Sequence, residues 1–512
     1  MDSTKAAVLT GFRDWRALAM LVLVLLALPS HAEWREASSD HFVIYADQDG
    51  ADLERFAQRL ERFHAAMALR YPAQNYRPSP SNRVTIYVVS NQKEVRKLGE
   101  HDDRMVAGFY RPRAGATVAV IPKLRRPSSK FELSPEAILL HEYAHHFMYG
   151  LSARAYPRWL VEGFAEFFAA VRFESDGSVG LGLQALHRSA ELVLGRNVPM
   201  QTLLEFDGGT ASKDGRDSFY GQSWLLFHYL MFEPSRAQQL TKYQELLARG
   251  RPAVEAATEA FGDLDRLGKD LERYQNRRML SYMTYPGSKI QVSPIDVRTL
   301  RSGEAEMMPV RMASRLGVSR EQALALLPEA RQVAARHPDD AAVQATLAEV
   351  ECDAGHDEAA IAAAERALAV DPAQVDARIQ KGLAMYRRAE SSNADTGAWQ
   401  EVRGEFVRAN KLENDHPIPL IQYYLSYLAE GVKPPKVAIE GLEWAMVLAP
   451  FDPNLRWIVV QQMIADGRLA DAARTLGPLA YNPHPGEGTE QALELLQEIE
   501  GRLSGGEGQP AH

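Results

Sequence analysis

The stretch that decides the fold reads, from residue 138 to residue 149, Ile-Leu-Leu-His-Glu-Tyr-Ala-His-His-Phe-Met-Tyr. His141 and His145 are four residues apart, so on a helix both imidazoles lie on one face and can reach one metal ion. Glu142 stands beside the first histidine, where a carboxylate can take a proton from water. Because ionisable groups are costly to bury unless they are paired or coordinate a metal, the stretch predicts a buried metal-binding helix.

The flanking residues predict where this helix begins and ends. Ser134 is a good N-cap, and Pro135 suits the first helical position. Glu136 adds a negative charge to the first turn, where the helix dipole favours it. Gly150 is a typical helix end. A helix over most of residues 135–150 is therefore expected.

A second motif follows closely, in an apolar segment that begins at Pro157. Glu162 and Glu166 are four residues apart and share one face of the predicted helix. A catalytic zinc takes three protein ligands, so Glu162 is the candidate third ligand and Glu166 the alternative. Gly163 in mid-helix costs about 1 kcal/mol relative to Ala. A close approach of the two metal-binding helices would explain this glycine.

The two motifs together, His-Glu-x-x-His and Glu-Gly-x-Ala-Glu, resemble the gluzincin zinc metallopeptidases over about residues 42–274. The resemblance implies a zincin-like α+β catalytic domain, expected here over residues 33–285, with zinc as the cofactor and a peptide or protein as the substrate. It also implies a role for each motif residue: zinc ligands His141, His145 and Glu162, general base Glu142, and Glu166 as a hydrogen-bond partner of a ligating histidine. The short interval between the motifs requires a compact turn.

Other functions remain open at this stage. The two helices can hold a buried ion-pair cluster without metal, or a degenerate site that binds metal without turnover. A non-catalytic scaffold or assembly factor with a structural zinc is the alternative from another class; such a zinc would be closed by a fourth protein ligand. An aminopeptidase is ranked below an endopeptidase, because no clear anchor for a substrate amino terminus is visible.

Composition excludes several classes of protein. The chain has 512 residues, 46% of them hydrophobic, and a net charge of -9. This is ordinary globular composition, with length enough for two to four domains. The mild acidity argues against a nucleic-acid partner. Cys352 is the single cysteine, so neither an intrachain disulfide nor a thiolate metal cluster is possible, and a packing role is expected for it.

Residues 1–32 are typical of a signal peptide. Lys5, Arg13 and Arg16 precede a short apolar core, and Ser30 and Ala32 are small residues at positions that a signal peptidase reads. The sequence therefore predicts a periplasmic or secreted protein with no stable membrane span after cleavage. The alternative is an uncleaved N-terminal membrane anchor.

The segments around the metal-binding helix predict a small sheet. Residues 41–46 and 83–89 have strand patterns, and residues 107–110 and 116–121 are expected to form a hairpin. An edge strand of such a sheet can bind substrate backbone by strand addition, and Val118–Ile121 is the candidate.

A later apolar helix, residues 219–230, offers two candidates for stabilising an oxyanion. Tyr220 is preferred to His228 as the catalytic residue. A packing role in the core is an equally good interpretation of Tyr220. His228 is the second candidate, although a buried structural histidine is favoured.

Beyond a predicted linker at residues 286–303, the chain becomes rich in Ala and Leu and carries a repeat. Pro338 and Pro372 are 34 residues apart, and Pro417, Pro450 and Pro483 continue the series. This period predicts an all-α tetratricopeptide-repeat solenoid over residues 304–503, followed by a flexible tail at 504–512. Such arrays bind peptides or proteins, so a protein partner is expected. A chain ending near Pro286 is expected to keep zinc and to cleave short peptides.

Overall fold

The computed structural model describes residues 33–72, 77–100, 106, 108–125, 129–152, 154–206, 217–482 and 488–506. The predicted signal peptide, residues 1–32, lies outside the described residues. Among the helices that the structure describes, none has the length and apolar character needed to cross a membrane.

A mixed six-stranded sheet forms the centre of the N-terminal domain, which we define as the described residues from 33 to 299. The strand order is β4-β5-β3-β2-β1-β9. Strand β3 is parallel to both β2 and β5, whereas the remaining pairs are antiparallel. The strands are β1 (Trp34–Ser38), β2 (Phe42–Asp47), β3 (Val84–Val89), β4 (Phe109–Arg111), β5 (Val118–Pro122) and β9 (Asp296–Thr299).

The predicted hairpin is confirmed by the antiparallel pairing of β4 with β5. The prediction of Val118–Ile121 as an edge strand is wrong, because β5 pairs with β3 on one side and with β4 on the other. Every residue of β5 is buried, as expected for an interior strand. The edge of the sheet on this side is β4.

The two faces of the sheet pack against different parts of the chain, because successive side chains of a strand point to opposite faces. Phe42, Ile44 and Ile86 belong to the core that also contains the predicted metal-binding helix and the long helix at residues 50–70. Tyr45 and Tyr87 face the other way, into a core closed by the helix at residues 302–315.

The predicted linker at residues 286–303 packs on the N-terminal domain through a short strand. It contains β9, which pairs antiparallel with β1 from Arg35↔Thr299 to Ser38↔Asp296. Leu300 then joins the second core of the sheet. The boundary between the two parts therefore runs through one sheet, because the local pattern of a strand does not specify the strand with which it pairs.

The helices of the N-terminal domain surround the sheet and a second, three-stranded sheet of order β6-β7-β8. The strands of this second sheet are β6 (Val171–Phe173), β7 (Val179–Leu181) and β8 (Met283–Tyr285). The helices are α1 (Gly50–Arg70), α2 (Gln92–Gly99), α3 (Pro135–Leu151), α4 (Arg158–Ala169), α5 (Ser189–Leu194), α6 (Met200–Leu204), α7 (Phe219–Phe232), α8 (Gln239–Ala248), α9 (Ala253–Phe261) and α10 (Leu264–Gln275).

Residues 302–506 form an all-α array of helical hairpins, which confirms the predicted repeat architecture; we call it the helical array. Its helices are α11 (Ser302–Arg315), α12 (Arg320–Arg336), α13 (Ala341–Asp353), α14 (Asp357–Val370), α15 (Val375–Ser391), α16 (Thr396–Leu412), α17 (Pro417–Ala429), α18 (Lys436–Leu448), α19 (Pro453–Ala465), α20 (Leu469–Ala480) and α21 (Thr489–Gly506). Consecutive helices pack on one another.

The repeating prolines mark the first helix of each hairpin. Pro338, Pro372 and Pro450 lie just before α13, α15 and α19, and Pro417 is the first residue of α17. Pro483 lies outside the described residues. The prediction of a flexible tail from residue 504 is corrected at its start, because α21 continues to Gly506; the rest of the predicted tail is also outside the described residues.

The far end of the helical array returns to the N-terminal domain. The Ala114 backbone N–H donates to Asp452 Oδ2 at 2.7 Å, and the Phe451 ring lies 4.5 Å from the His146 ring. Tyr481 packs on Phe206 at 4.2 Å between ring centroids. The array therefore contacts the N-terminal domain at both of its ends.

Candidate metal centre

Helices α3 and α4 carry the centre and are joined by the short turn at residues 152–157. The cap predicted from the sequence is present, since Ser134 Oγ accepts from the Ala137 N–H at 3.1 Å and Pro135 opens the helix. Pro157 caps α4. The compact turn sets the two helices side by side, so their ionisable faces meet.

Three donor atoms converge where these faces meet. His141 Nε2 lies 3.1 Å from His145 Nε2. Glu162 Oε2 lies 3.5 Å from His141 Nε2 and 3.7 Å from His145 Nε2. Two ligands at zinc distances of 2.0–2.1 Å in a tetrahedral arrangement are about 3.3 Å apart. The donor types and their separations therefore fit a zinc ion.

Burial and charge make this cluster unlike an ordinary ion pair. Glu162 is fully buried and His145 is nearly so. Burial lowers the pKa of His141, but hydrogen bonds to Glu162 and Glu166 outweigh it and raise that pKa to about 10. Without a metal the imidazole thus holds a proton between two carboxylates. A metal cation would take the place of this proton.

Glu166 lies behind the three donors rather than among them. Its Oε1 is 3.3 Å from His141 Nδ1, the nitrogen on the far side of the ring from the donor cluster. Burial raises the pKa of Glu166, yet the Arg188 guanidinium and His141 hold it well below its usual range. A carboxylate in this position fixes the ring and increases the basicity of the opposite nitrogen.

Two partners of Glu166 were not predicted from the sequence. His187 Nε2 lies 2.8 Å from Glu166 Oε2, and Arg188 Nε donates to Glu166 Oε1 at 3.0 Å. They precede α5, which the sequence analysis did not predict. In the sequence, His187 and Arg188 are two adjacent polar residues between apolar segments. That pattern does not indicate the carboxylate with which they form hydrogen bonds.

Glu142 follows His141 on α3 and is half-buried. Its charge acts on the hydroxyl groups of Tyr110 and Tyr149, whose pKa values are both raised, first by burial and then by acidic neighbours that include Glu142. Tyr110 also belongs to the edge strand β4 and bonds to His146 Nδ1 at 2.6 Å. The carboxylate of Glu142 is therefore close to a hydroxyl group on the edge strand of the sheet.

Tyr220 is brought to the same centre by α7. Its hydroxyl accepts from Arg158 Nη2 at 3.4 Å, and the Arg188 guanidinium lies 4.8 Å from its ring centroid. Burial raises the pKa of Tyr220, and the negative charge of Glu162 adds to the rise. Tyr220 is thus a neutral hydroxyl close to the candidate ligands.

His228 is not available to an oxyanion. Its Nδ1 bonds to the Tyr274 hydroxyl at 2.9 Å, and its Nε2 bonds to the Gly182 carbonyl at 3.0 Å. The ring is fully buried, and this burial lowers its pKa to about 4. His228 is therefore a neutral structural histidine, as favoured from the sequence.

Gly163 faces α7, not the other metal-binding helix. A Cβ atom at this position would lie 2.5 Å from the Ser223 carbonyl oxygen. The prediction of a close approach between α3 and α4 at this glycine is therefore wrong. The glycine allows α4 to pack directly on α7, the helix that carries Tyr220.

An apolar pocket opens beside His145. Met148, Tyr156 and Val161 line it from the N-terminal domain, while Pro478 and Tyr481 line it from the helical array. These two array residues were missed by the sequence analysis, because nothing in their local pattern relates them to a segment more than 300 residues earlier.

Comparisons with known proteins leave the chemistry of this centre open. A protein-family model described as "Protein of unknown function (DUF1570)" matches residues 136–253, which include most of α3 and all of α4, α7 and α8. No curated protein matches the chain.

A solved structure similar to part of the chain is that of a thermophilic TPR protein from Thermus thermophilus. It has 18% sequence identity and a TM-score of 0.32, and the match covers 39% of this chain and 98% of that one. The assignment of residues 302–506 as a helical array rests on the hairpins described above.

Proposed function

We propose that this chain is a zinc-dependent peptidase whose helical array helps to select a protein substrate or partner. The observation that carries the proposal is the convergence of His141 Nε2, His145 Nε2 and Glu162 Oε2 within 3.1–3.7 Å of one another. Glu142 follows His141 directly on the same helix. Two histidines and one glutamate are a donor set of catalytic zinc.

A zinc ion held by these residues would act as a Lewis acid that polarises a carbonyl group and acidifies water. Glu142 accepts the proton of the attacking water and passes it to the leaving amine. Tyr220 donates its hydroxyl to the negative charge that develops on the carbonyl oxygen. Strand β4, the edge of the sheet, binds the substrate backbone by strand addition.

The proposal extends to the location and the partners of the protein. The predicted signal peptide supports a periplasmic or secreted protein, with an N-terminal membrane anchor as the alternative. An array of helical hairpins offers an extended surface for a peptide or a protein. Endopeptidase activity is favoured over aminopeptidase activity, because no residue suited to anchor a substrate amino terminus was found in the sequence.

The competing function is a non-catalytic scaffold with a structural zinc. A structural site is closed by four protein ligands, whereas a catalytic site keeps an open position. Within the described part of the chain, the group of possible ligands consists of His141, His145 and Glu162. Three donors favour the catalytic alternative.

Cleavage of an unbiased peptide library by the zinc-loaded protein tests the proposed peptidase activity. A zinc-loaded protein that releases no new amino termini would favour the scaffold.

The first prediction concerns metal content. The purified mature protein is expected to hold about one zinc per chain, because three ligands on two helices form one site. His145→Ala and Glu162→Ala should each lose most of this zinc, as measured by elemental analysis of the folded proteins.

Glu166→Ala is the matched comparison for Glu162→Ala, since both change one buried glutamate on α4. It should retain zinc with an affinity lowered about 10–100-fold, which is typical for the loss of a partner behind a ligand. Full zinc in Glu162→Ala together with an empty Glu166→Ala protein would show that the ligand assignment is wrong.

The second prediction concerns Tyr220. Tyr220→Phe is expected to lower kcat by about 10²–10³-fold with little change in KM, if its hydroxyl meets charge that exists only in the transition state. Steady-state kinetics on a peptide from the library measure this. Tyr229→Phe on the same helix is the control, and a Tyr220→Phe protein with lower stability but normal kcat would identify a core residue.

A further inference from the structure

A second cavity, remote from the metal centre, lies between the sheet and the helical array. Its volume is about 300 Å³. Its walls come from β2, β3, the segment that precedes β3, helix α11 and the segments next to α15 and α17. The charged residues that line it are Glu36, Arg83, Arg311, Arg315, Asp376 and Glu413.

Arg311 makes no direct bond to any carboxylate that the structure describes in this cavity, although Asp376 is close enough for the two charges to attract. It packs over the Tyr45 ring at 4.9 Å from the centroid. Within the described parts of the chain, it makes no ion pair and no hydrogen bond. A guanidinium group cannot give up its proton in a protein, so it stays charged here. Its N–H donors are therefore available to a ligand or to water inside the cavity.

The other charges of the cavity are largely satisfied by one another. Arg315 bonds to Glu349 at 3.1 Å and to Asp376 at 2.6 Å. Glu36 pairs with Arg298 at 2.7 Å. Arg315 is thus shared between two carboxylates, and none of these groups forms a hydrogen bond with Arg311 among the described residues.

Arg83 adds a second cation without a carboxylate partner. Its Nη1 donates to Ser38 Oγ at 2.8 Å and to the Ser39 carbonyl at 3.1 Å, both of which are neutral acceptors. Glu413 accepts from the Ser81 N–H at 2.9 Å and is the remaining carboxylate of the cavity. Within the described residues, neither Arg311 nor Arg83 forms an ion pair with a carboxylate of the cavity.

A hydroxyl group adds a neutral donor to this site. Ser81 lines the cavity, and its Oγ is buried without a hydrogen-bond partner. The two guanidinium groups and this hydroxyl are hydrogen-bond donors that suit the oxygens of a carboxylate or a phosphate. A guanidinium group binds such an anion through two parallel hydrogen bonds.

We propose that this cavity is a binding site for a small oxyanion, a carboxylate or a phosphate group, held by Arg311 and completed by Arg83 and Ser81. The site is distinct from the metal centre and does not depend on the proposed peptidase activity. Because its walls belong to both parts of the chain, the bound anion stabilises the junction between the sheet and the helical array.

The experiment is thermal unfolding of the full-length chain in chloride, inorganic phosphate or succinate at equal ionic strength. Phosphate, succinate or both should raise Tm by about 2–4 °C relative to chloride at saturating concentration. A response to phosphate alone would indicate a phosphate ester, and a response to succinate alone would indicate a carboxylate; either supports the site. Equal Tm values in the three salts would overturn the proposal and leave a water-filled cavity.

Variants show whether the rise in Tm comes from anion binding in this cavity. Arg311→Met should abolish it, and Arg311→Lys, which keeps the charge and the fold but not the paired bonds, should weaken anion affinity about tenfold. Arg331→Met, at an arginine that is instead ion-paired with Glu351 at 2.7 Å, should keep the full response. His145→Ala should keep it as well, because the metal centre is not involved. An unchanged response in both Arg311 variants, or its loss in His145→Ala, would show that the anion binds elsewhere.

Discussion

Glu142→Gln is expected to lower peptide hydrolysis by about 10²–10⁴-fold while zinc content stays unchanged. The amide has nearly the shape of the carboxylate but cannot accept a proton from the attacking water. Glu142 is not among the three converging donor atoms, so metal binding is expected to survive. The measurement is the single-turnover rate on a peptide substrate, together with elemental analysis of the same sample.

A matched substitution on the same helix separates this effect from a general loss of fold. Glu136 lies in the first turn of α3 and pairs with Arg59 at 2.7 Å, partly exposed to solvent. Glu136→Gln should cost at most about 1 kcal/mol of stability and leave the rate unchanged. If Glu142→Gln kept the full rate with normal zinc, the proposed mechanism would have to be abandoned.

The second large effect is expected from removal of the helical array. A chain that ends at Pro286 should be insoluble, in contrast to the expectation from the sequence. It lacks β9, which leaves β1 as an open edge, and such edges promote aggregation. It also lacks Met308 and Met312, which cover the face of the sheet that contains Tyr45 and Tyr87. An uncovered apolar sheet face is a second cause of association.

A longer truncation is the control for this prediction. A chain that ends at Asp371 keeps β9 and the helices α11–α14, whose own core is mostly within this segment. It should be considerably more soluble than the shorter chain, as measured by the soluble fraction and by light scattering. It lacks Pro478 and Tyr481 of the pocket beside His145, so its peptide preference should change. A monodisperse, zinc-loaded chain ending at Pro286 would contradict the structural argument.

Features with a local cause could be predicted from the sequence. The i, i+4 spacing of His141 and His145 depends only on the helical period, and the Ser134 cap depends on neighbouring residues. Pro338, Pro372 and Pro450 each follow the C-cap of the preceding helix, because a proline cannot continue a helix, and they therefore separate one hairpin from the next. The assignment of zinc ligands and of the base stays a prediction, although the structure brings the three donor atoms together.

Features that join distant segments were not predictable. His187 and Arg188 meet Glu166 because α5 folds back on the second motif, and Gly163 meets Ser223 because α4 packs on α7. Neither contact follows from a periodic pattern of residues in the sequence. The edge of the sheet was predicted on β5 instead of β4 because hydrophobic patterning identifies strands but not their order.

The sequence by itself determined the two helices of the candidate metal centre and the hairpin repeat, since each of these follows from residues within a few turns of one another. Only the tertiary structure decided that β9 completes the sheet, that Pro478 and Tyr481 reach the candidate metal centre, and that Arg311 faces a cavity between the two parts without an ion pair among the described residues. These outcomes depend on which surfaces meet after the chain has folded. Burial of apolar area drives the packing of these surfaces, and its free energy does not depend on how far apart the surfaces are in the sequence.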